Sequence, residues 1–405
     1  MSRCKNTIRT TVLCLTAVLA LGLTGNVWGA VDVDFKQDAN HDAGWVTPLQ
    51  PHFINSILQQ SNSRYFEGFS VPQRVIFKNL SGSSHTLTLH VQSLKASVPT
   101  HAYDFPTSWE QAQNAGDGLA PSVSPTDEMD ALTSCISATD CRACNPEPSS
   151  DPGGYLTTCK NVHLSGFSVE GSWPDAISDP SPSPGTGSVA SKISAYEAVF
   201  GDRKVKIYGN ASFSGTPTIT FDGYTGTDQD ANYSITWNSS SSEIVIEFAG
   251  HLAVGADPLG AGIGYGTGFG AGNISGGPYH FSLDKLDGAS LGNQDNQIKA
   301  ADIIIPCPTC VVNGPTGPFC PGSAAQTYSV TINGLCQDQS TITWSLSNNT
   351  SGASFNGGNT GTSVSVNPGS SCGGFRLTSS FTCSNCTDPV SCFVDVTVVD
   401  NTPPV

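Results

Sequence analysis

The stretch Glu243-Ile244-Val245-Ile246-Glu247-Phe248 carries the pattern that decides the fold. In an extended chain successive side chains point to opposite faces, so Ile244, Ile246 and Phe248 share one side and Glu243 and Glu247 share the other. A helix would scatter the same residues around its circumference. The two-residue period returns at Leu87, Leu89 and Val91 against Thr86, Thr88 and His90, and at Val205 and Ile207 against Lys204, Lys206 and Tyr208. Near the C-terminus it returns in Tyr328, Val330 and Ile332, in Ile342, Trp344 and Leu346, and in Val394, Val396 and Val398. Each run reads as a strand with one buried face, and Glu243 and Glu247 are expected to face water. Antiparallel sheets packed face to face bury such one-sided strands most economically. The expected fold is therefore all-β, a large decorated antiparallel β-sandwich followed by a smaller disulfide-rich one.

Helical signals are few and short. Ser124-Pro125-Thr126-Asp127 has the form of a capping box with proline at the first helical position, continuing from Met129 to Cys135. Thr107 to Ala115 pairs a cap-like Thr107 with Glu110. Both are expected as decorations of a β core. Ser178 to Gly187 (SDPSPSPGTG) is expected to stay irregular. Val31 to Phe35 reads as an ordinary first strand, or as one that adds to a sheet edge in a second copy.

Arg3, Lys5 and Arg9 precede an apolar run from Thr11 to Leu23, and small residues lead to Gly29 and Ala30. Residues 1–30 therefore read as a signal peptide cleaved after Ala30, and the mature chain is expected to be secreted, to an extracellular or cell-surface location. No later stretch approaches the ~18 consecutive apolar residues of a membrane helix. Losing three basic residues takes the formal charge from −16 to −19. That acidity argues against nucleic acid as a partner.

Cys4 and Cys14 leave with the leader, and an even twelve remain: Cys135, Cys141, Cys144, Cys159, Cys307, Cys310, Cys320, Cys336, Cys372, Cys383, Cys386 and Cys392. In an exported chain these read as disulfides. Three C-x-x-C pairs, Cys141/Cys144, Cys307/Cys310 and Cys383/Cys386, invite a zinc reading, but no two of them have ribbon-like spacing. Composition breaks at Pro306. Beyond it Arg376 is the one basic residue, and histidine and glutamate are absent. Two domains follow, 31–305 with a cysteine-rich insertion near 135–159, and 306–405.

The C-terminal hundred residues resemble bacterial immunoglobulin-like surface repeats of the PKD-like and hyalin-repeat (HYR) kinds. The resemblance is carried by Cys320-Pro321-Gly322 before the strand at Tyr328, by Thr343-Trp344-Ser345-Leu346, by Thr360 to Val366, and by the closing Val396 to Val405. It implies an immunoglobulin-like β-sandwich with Trp344 in its core. Residues 31 to about 305 resemble the segments that precede such repeats in secreted bacterial proteins, through Trp237, Ile244 to Ala253, and Ser275 to His280. Both likenesses imply binding or spacer roles.

Gly260 to Gly272 (GAGIGYGTGFGAG) places glycine at every even position, fails both phosphate-loop spacings and has no lysine. It reads either as an extended segment whose glycine face lets another backbone approach, or as a loop. Asp38, Asn40 and Asp42, and again Asp228, Asp230 and Asn232, set oxygen ligands at alternate positions, as in the first half of a calcium loop. Leu49 and Ser239 stand where such a loop has its glutamate. Asp287, Asn293 and Asp295 are further calcium candidates, and turn capping is the plainer role for all of them. His251 and His280 flank the glycine run and read as structural. Trp45, Trp109, Trp173 and Trp237 form either a sugar platform or, by default, core.

No catalytic or cofactor-binding residue is assigned, and calcium is the one cofactor entertained. The expected function is that of a non-enzymatic extracellular or cell-surface structural or adhesion protein, self-assembling or bound to other matrix proteins or polysaccharide. A carbohydrate-binding or calcium-dependent recognition module is the alternative. A polysaccharide-active hydrolase or lyase on a jelly-roll scaffold is the third class.

Overall fold

The computed structural model describes residues 31–42, 52–95, 97–119, 141–144, 151 and 153–400. The first strands are β1 (Asp32–Asp38), β2 (Phe53–Ile54), β3 (Ser70–Lys78), β4 (Ser84–Gln92), β5 (Leu94–Lys95), β6 (Thr100–His101) and β7 (Tyr103–Thr107). They are followed by β8 (Phe167–Ser172), β9 (Lys204–Gly209), β10 (Thr218–Thr225), β11 (Asp230–Asn238), β12 (Ile244–Leu252), β13 (Tyr279–Leu286) and β14 (Ala289–Ile298). One sheet runs β2-β1-β3-β12-β9-β8, with β7 also on β12, and a second runs β10-β11-β4-β13-β14. Their inward faces merge in one core, where Val75, Ile246 and Phe248 from the first sheet meet Leu89, Tyr233 and Phe281 from the second. Phe248 stacks on Phe281 at 5.3 Å between ring centroids. β1 pairs with β3 inside its own sheet, the ordinary first-strand arrangement.

Ile244, Ile246 and Phe248 face that core, as their alternation predicts. The opposite face of β12 differs from expectation: all nine of its residues are buried. Helices α1 (Trp109–Leu119) and α2 (Tyr155–Leu164) cover it, together with the 3-10 turn Arg142–Cys144. Ala249 packs with Trp109 and Ala112, and Val245 packs with Cys144, Cys159 and Val162. Glu247 is therefore 5 % exposed and ion-paired to His163 at 2.6 Å instead of solvated. A charge at that depth needs a partner, and α2 supplies it.

The capping box of α1 lies one residue later than expected. Gln111 N–H donates to Ser108 Oγ at 3.3 Å and Ser108 N–H donates to Gln111 Oε1 at 3.2 Å, while Thr107 ends β7. Helix α3 (Val189–Phe200), capped by Ser188, buries Val189, Ile193, Tyr196 and Phe200 at helical spacing. Neither α2 nor α3 was expected from the strand-dominated pattern. The helix expected after Ser124 lies outside the described residues, and Ser178 to Gly187 is irregular as predicted. Among the described residues no helix is long and apolar enough to cross a membrane.

The glycine run is a loop that also makes the close approach its glycines allow. The buried Glu67 carboxylate accepts N–H groups from Gly255 (2.8 Å) and Gly272 (2.9 Å) and the Asn273 amide (3.2 Å). A Cβ on Gly270 would lie 2.2 Å from Gly255 N and 2.6 Å from Glu67 Oε1. Burial pushes the Glu67 carboxyl up to about 7 despite these three donors.

The smaller sandwich comprises β15 (Thr309–Asn313), β16 (Gln326–Asn333), β17 (Thr343–Ser347), β18 (Ser354–Phe355), β19 (Ser363–Asn367), β20 (Gly373–Phe381) and β21 (Val390–Val398). Its sheets run β15-β16-β19-β18 and β17-β20-β21. That is the ABED and CFG order of a constant-type immunoglobulin sandwich. Trp344 sits on the third strand, 1 % exposed, and its indole N–H donates to Gly361 O at 2.8 Å. Its core, with Tyr328, Val366 and Leu377, is separate from that of the larger sandwich.

Disulfides join Cys310 on β15 to Cys392 on β21, Cys307 to Cys386, and Cys336 to Cys383. In the larger sandwich Cys144 bonds Cys159, and Cys141 is also disulfide-bonded. Cys135 lies outside the described residues. Cys320 and Cys372, expected in disulfides, are free and exposed. An even count does not compel pairing, which requires Cα atoms about 4.4–6.8 Å apart with converging side chains.

Candidate functional site

The outer face of the five-stranded sheet carries a polar cleft of about 500 Å³. Strand alternation and register build it together. In β4, Leu87, Leu89 and Val91 point into the core, which leaves Thr88, His90 and Gln92 on the other face. Antiparallel pairing sets Asn232 beside His90, His90 beside Ser282, and Ser282 beside Asp295. One row along, Asp230 pairs with Gln92 and His280 with Gln297. Residues from four strands thus meet on a rigid hydrogen-bonded lattice.

Three side-chain donors converge on the Asp295 carboxylate. His280 Nδ1 lies 2.8 and 3.0 Å from its two oxygens, Ser282 Oγ donates at 2.7 Å, and Gln297 Nε2 donates at 2.8 Å. Burial alone would raise this carboxyl, but the hydrogen bonds from His280, Ser282 and Gln297 outweigh it and hold Asp295 below the usual range. The same hydrogen bond raises the His280 imidazole against the opposing effect of burial. Asp228 accepts from Gln92 Nε2 at 3.1 Å and Lys95 Nζ at 3.3 Å. Asp230 is half-buried, and burial pushes its carboxyl up; Asp228 adds to the rise, while His90 and His280 oppose it.

The cleft therefore presents the carboxylates of Asp228 and Asp230 beside the imidazoles of His90 and His280. Such a set suits sugar hydroxyls, ammonium groups or a divalent cation. Among the described residues lining it, none is Trp, Tyr or Phe. Trp109, Trp173 and Trp237 are core residues, and Trp45 lies outside the described residues.

The two calcium-like triplets fare differently. Asp38 accepts from His52 N–H at 3.0 Å, Asn40 exchanges two hydrogen bonds with the Arg64 backbone, and Asp42 pairs with the His52 ring at 3.0 Å. The first triplet is thus bonded to His52 and Arg64. In the second, Asn232 donates to Gly223 O at the β10–β11 pairing, whereas Asp228 and Asp230 line the cleft. Asn293 and Asp295 line it too, but Asp287 pairs with His85 at 2.8 Å.

Sequence reasoning missed two buried His–carboxylate pairs. His251 and Asp104, 2.6 Å apart and wholly buried, lie under Phe105, whose ring stacks on the imidazole at 4.4 Å. His163 meets Glu247 beside the Cys144–Cys159 disulfide. Each pair joins distant parts of the chain, so no local spacing announces it. The sequence matches no protein-family model and no curated protein.

Proposed function

We propose that the mature chain is a non-enzymatic extracellular or cell-surface adhesion or structural protein that recognises a hydroxyl-rich polymer of the polysaccharide class. The observation that carries this is the cleft on the five-stranded sheet, where acceptors and donors are interleaved at strand spacing. Sugar hydroxyls both donate and accept, so they pair with such a lattice. The disulfides of the smaller sandwich support durability outside the cell. Its strand order supports kinship with PKD-like and hyalin-like repeats, which act as spacers.

Retention on a panel of immobilised polysaccharides tests the proposal. Wild-type protein should be retained by at least one, and Asp230→Asn with His280→Gln should weaken binding about tenfold, the worth of one charge-assisted hydrogen bond. No retention, or retention that the double substitution leaves unchanged, would reject it. A calcium-dependent version has one observation in its favour: Asp228, Asp230, Asn293 and Asp295 line the same cleft. Calorimetric titration with Ca²⁺ that yields no heat, with melting insensitive to EDTA, would eliminate calcium and leave the polysaccharide proposal standing.

A further inference from the structure

On the covered face of β12, the geometry points to a second, independent site: when the Cys144–Cys159 disulfide is reduced, Cys144, Cys159 and His163 bind a zinc-class divalent cation. Cys159 and His163 lie four residues apart on α2, hence on one helix face, and Cys144 closes the opposite side from its 3-10 turn. His163 Nδ1 lies 3.3 Å from Cys144 Sγ and 3.7 Å from Cys159 Sγ. In a tetrahedral site with Zn–S near 2.3 Å and Zn–N near 2.0–2.1 Å, the sulfur-to-nitrogen edge is about 3.6 Å. The imidazole already stands where a metal needs it.

The far side of the ring is prepared as well. His163 Nε2–H donates to Glu247 Oε1 at 2.6 Å, and Tyr208 lies against the ring at 4.1 Å. A ligating histidine whose other nitrogen is held by a carboxylate is the usual outer arrangement of a metal site. Nδ1–H also donates to Cys159 O at 2.8 Å, a bond given up when that proton leaves and the freed lone pair takes the metal. The chain pattern Cys141-x2-Cys144-x14-Cys159-x3-His163 sets a third sulfur, that of the disulfide-bonded Cys141, in the same cluster. Ligand pairs set two to five residues apart are common in zinc sites.

The chemistry balances with a dithiol as reductant. Two electrons and two protons pass to the Cys144–Cys159 bond, giving two thiols and a new disulfide in the dithiol. Binding of the cation then releases three protons to water, two from the thiols and one from His163 Nδ1. Under oxidising conditions the same atoms form a covalent staple, so the redox state selects between staple and metal site.

The test uses the full mature chain, reduced and freed of reductant without oxygen, with one equivalent of Co²⁺ as the probe. Thiolate-to-cobalt charge transfer and intense tetrahedral d–d bands are expected, and oxidised protein should show neither. Glu247→Gln should weaken binding about tenfold. His163→Gln and Cys159→Ser should abolish the bands, whereas Cys307→Ala with Cys386→Ala should leave them intact. Absence of the bands in the reduced wild type, or their survival in His163→Gln, overturns the proposal. If a variant does not fold, X-ray absorption of Zn²⁺ on the reduced wild type decides: a mixed sulfur and imidazole shell supports the site, and an all-sulfur shell overturns it.

Discussion

Replacing Glu67 with glutamine tests how the glycine loop is anchored. Glu67 is buried, its carboxyl is pushed up to about 7 from 4.5, and its oxygens receive Gly255, Gly272 and Asn273. Below pH 4.5 the group carries its proton in both folded and unfolded chains and exerts no pH-dependent effect. Between 4.5 and about 7 the unfolded chain ionises while the folded one keeps its proton. Stability is therefore fully present below the lower value and is lost as pH rises through the upper one. At 1.36 kcal/mol per unit the loss is about 3 kcal/mol. Glutamine has no proton to lose, so its stability does not carry this slope. Its NH₂ would face the Gly255 N–H, a donor-to-donor conflict costing about 1–3 kcal/mol at every pH. Denaturant unfolding of both proteins from pH 4 to 8 isolates the effect, because other titrating groups cancel in the difference. Wild type should lose about 3 kcal/mol relative to Glu67→Gln across that range. A difference that stays constant within about 0.5 kcal/mol would show that Glu67 is not held as a buried acid.

Trp344→Ala should cost the smaller sandwich about 3–5 kcal/mol, since it removes a buried indole and its hydrogen bond to Gly361. Calorimetry should show its transition falling while that of the larger sandwich stays, because the two cores are separate. Paired replacement of Cys310 and Cys392 with alanine opens a link that, beside the intact Cys307–Cys386 bond, closes only a short ring worth about 3 kcal/mol on loop-entropy grounds, and should lower the same transition. His280 is raised by its hydrogen bond to Asp295, and Asp295 is lowered by donors that include His280. The stabilisation from this pair is expected to fade as pH rises past the raised imidazole value and as it falls past the lowered carboxyl value. NMR titration of His280 in the wild type and in Asp295→Asn measures it, and an unchanged midpoint would contradict the pairing.

Strand identity was legible because alternation is local geometry: EIVIEF must place Ile244, Ile246 and Phe248 on one face whatever surrounds it. The burial of Trp344 was legible for the same reason, since its strand alternates. The helix after Thr107 was legible to within a residue, since Ser108 and Gln111 offer the same capping chemistry one step along. What covers the other face of β12 was not legible, because nothing in Glu243 to Phe248 encodes a helix that begins at Tyr155. Only the folded chain brought α2 over that strand, turned Glu247 from an expected surface charge into the partner of His163, and set that ring beside two sulfurs. The cleft has the same origin: Asp228 and Asp230 are visible as a pattern, but only register between β11, β4, β13 and β14 brings them to His90, His280 and Asp295. Local periodicity sets which way a side chain points. What it meets is decided by pairing between segments far apart in sequence, where packing and charge compensation choose the partner.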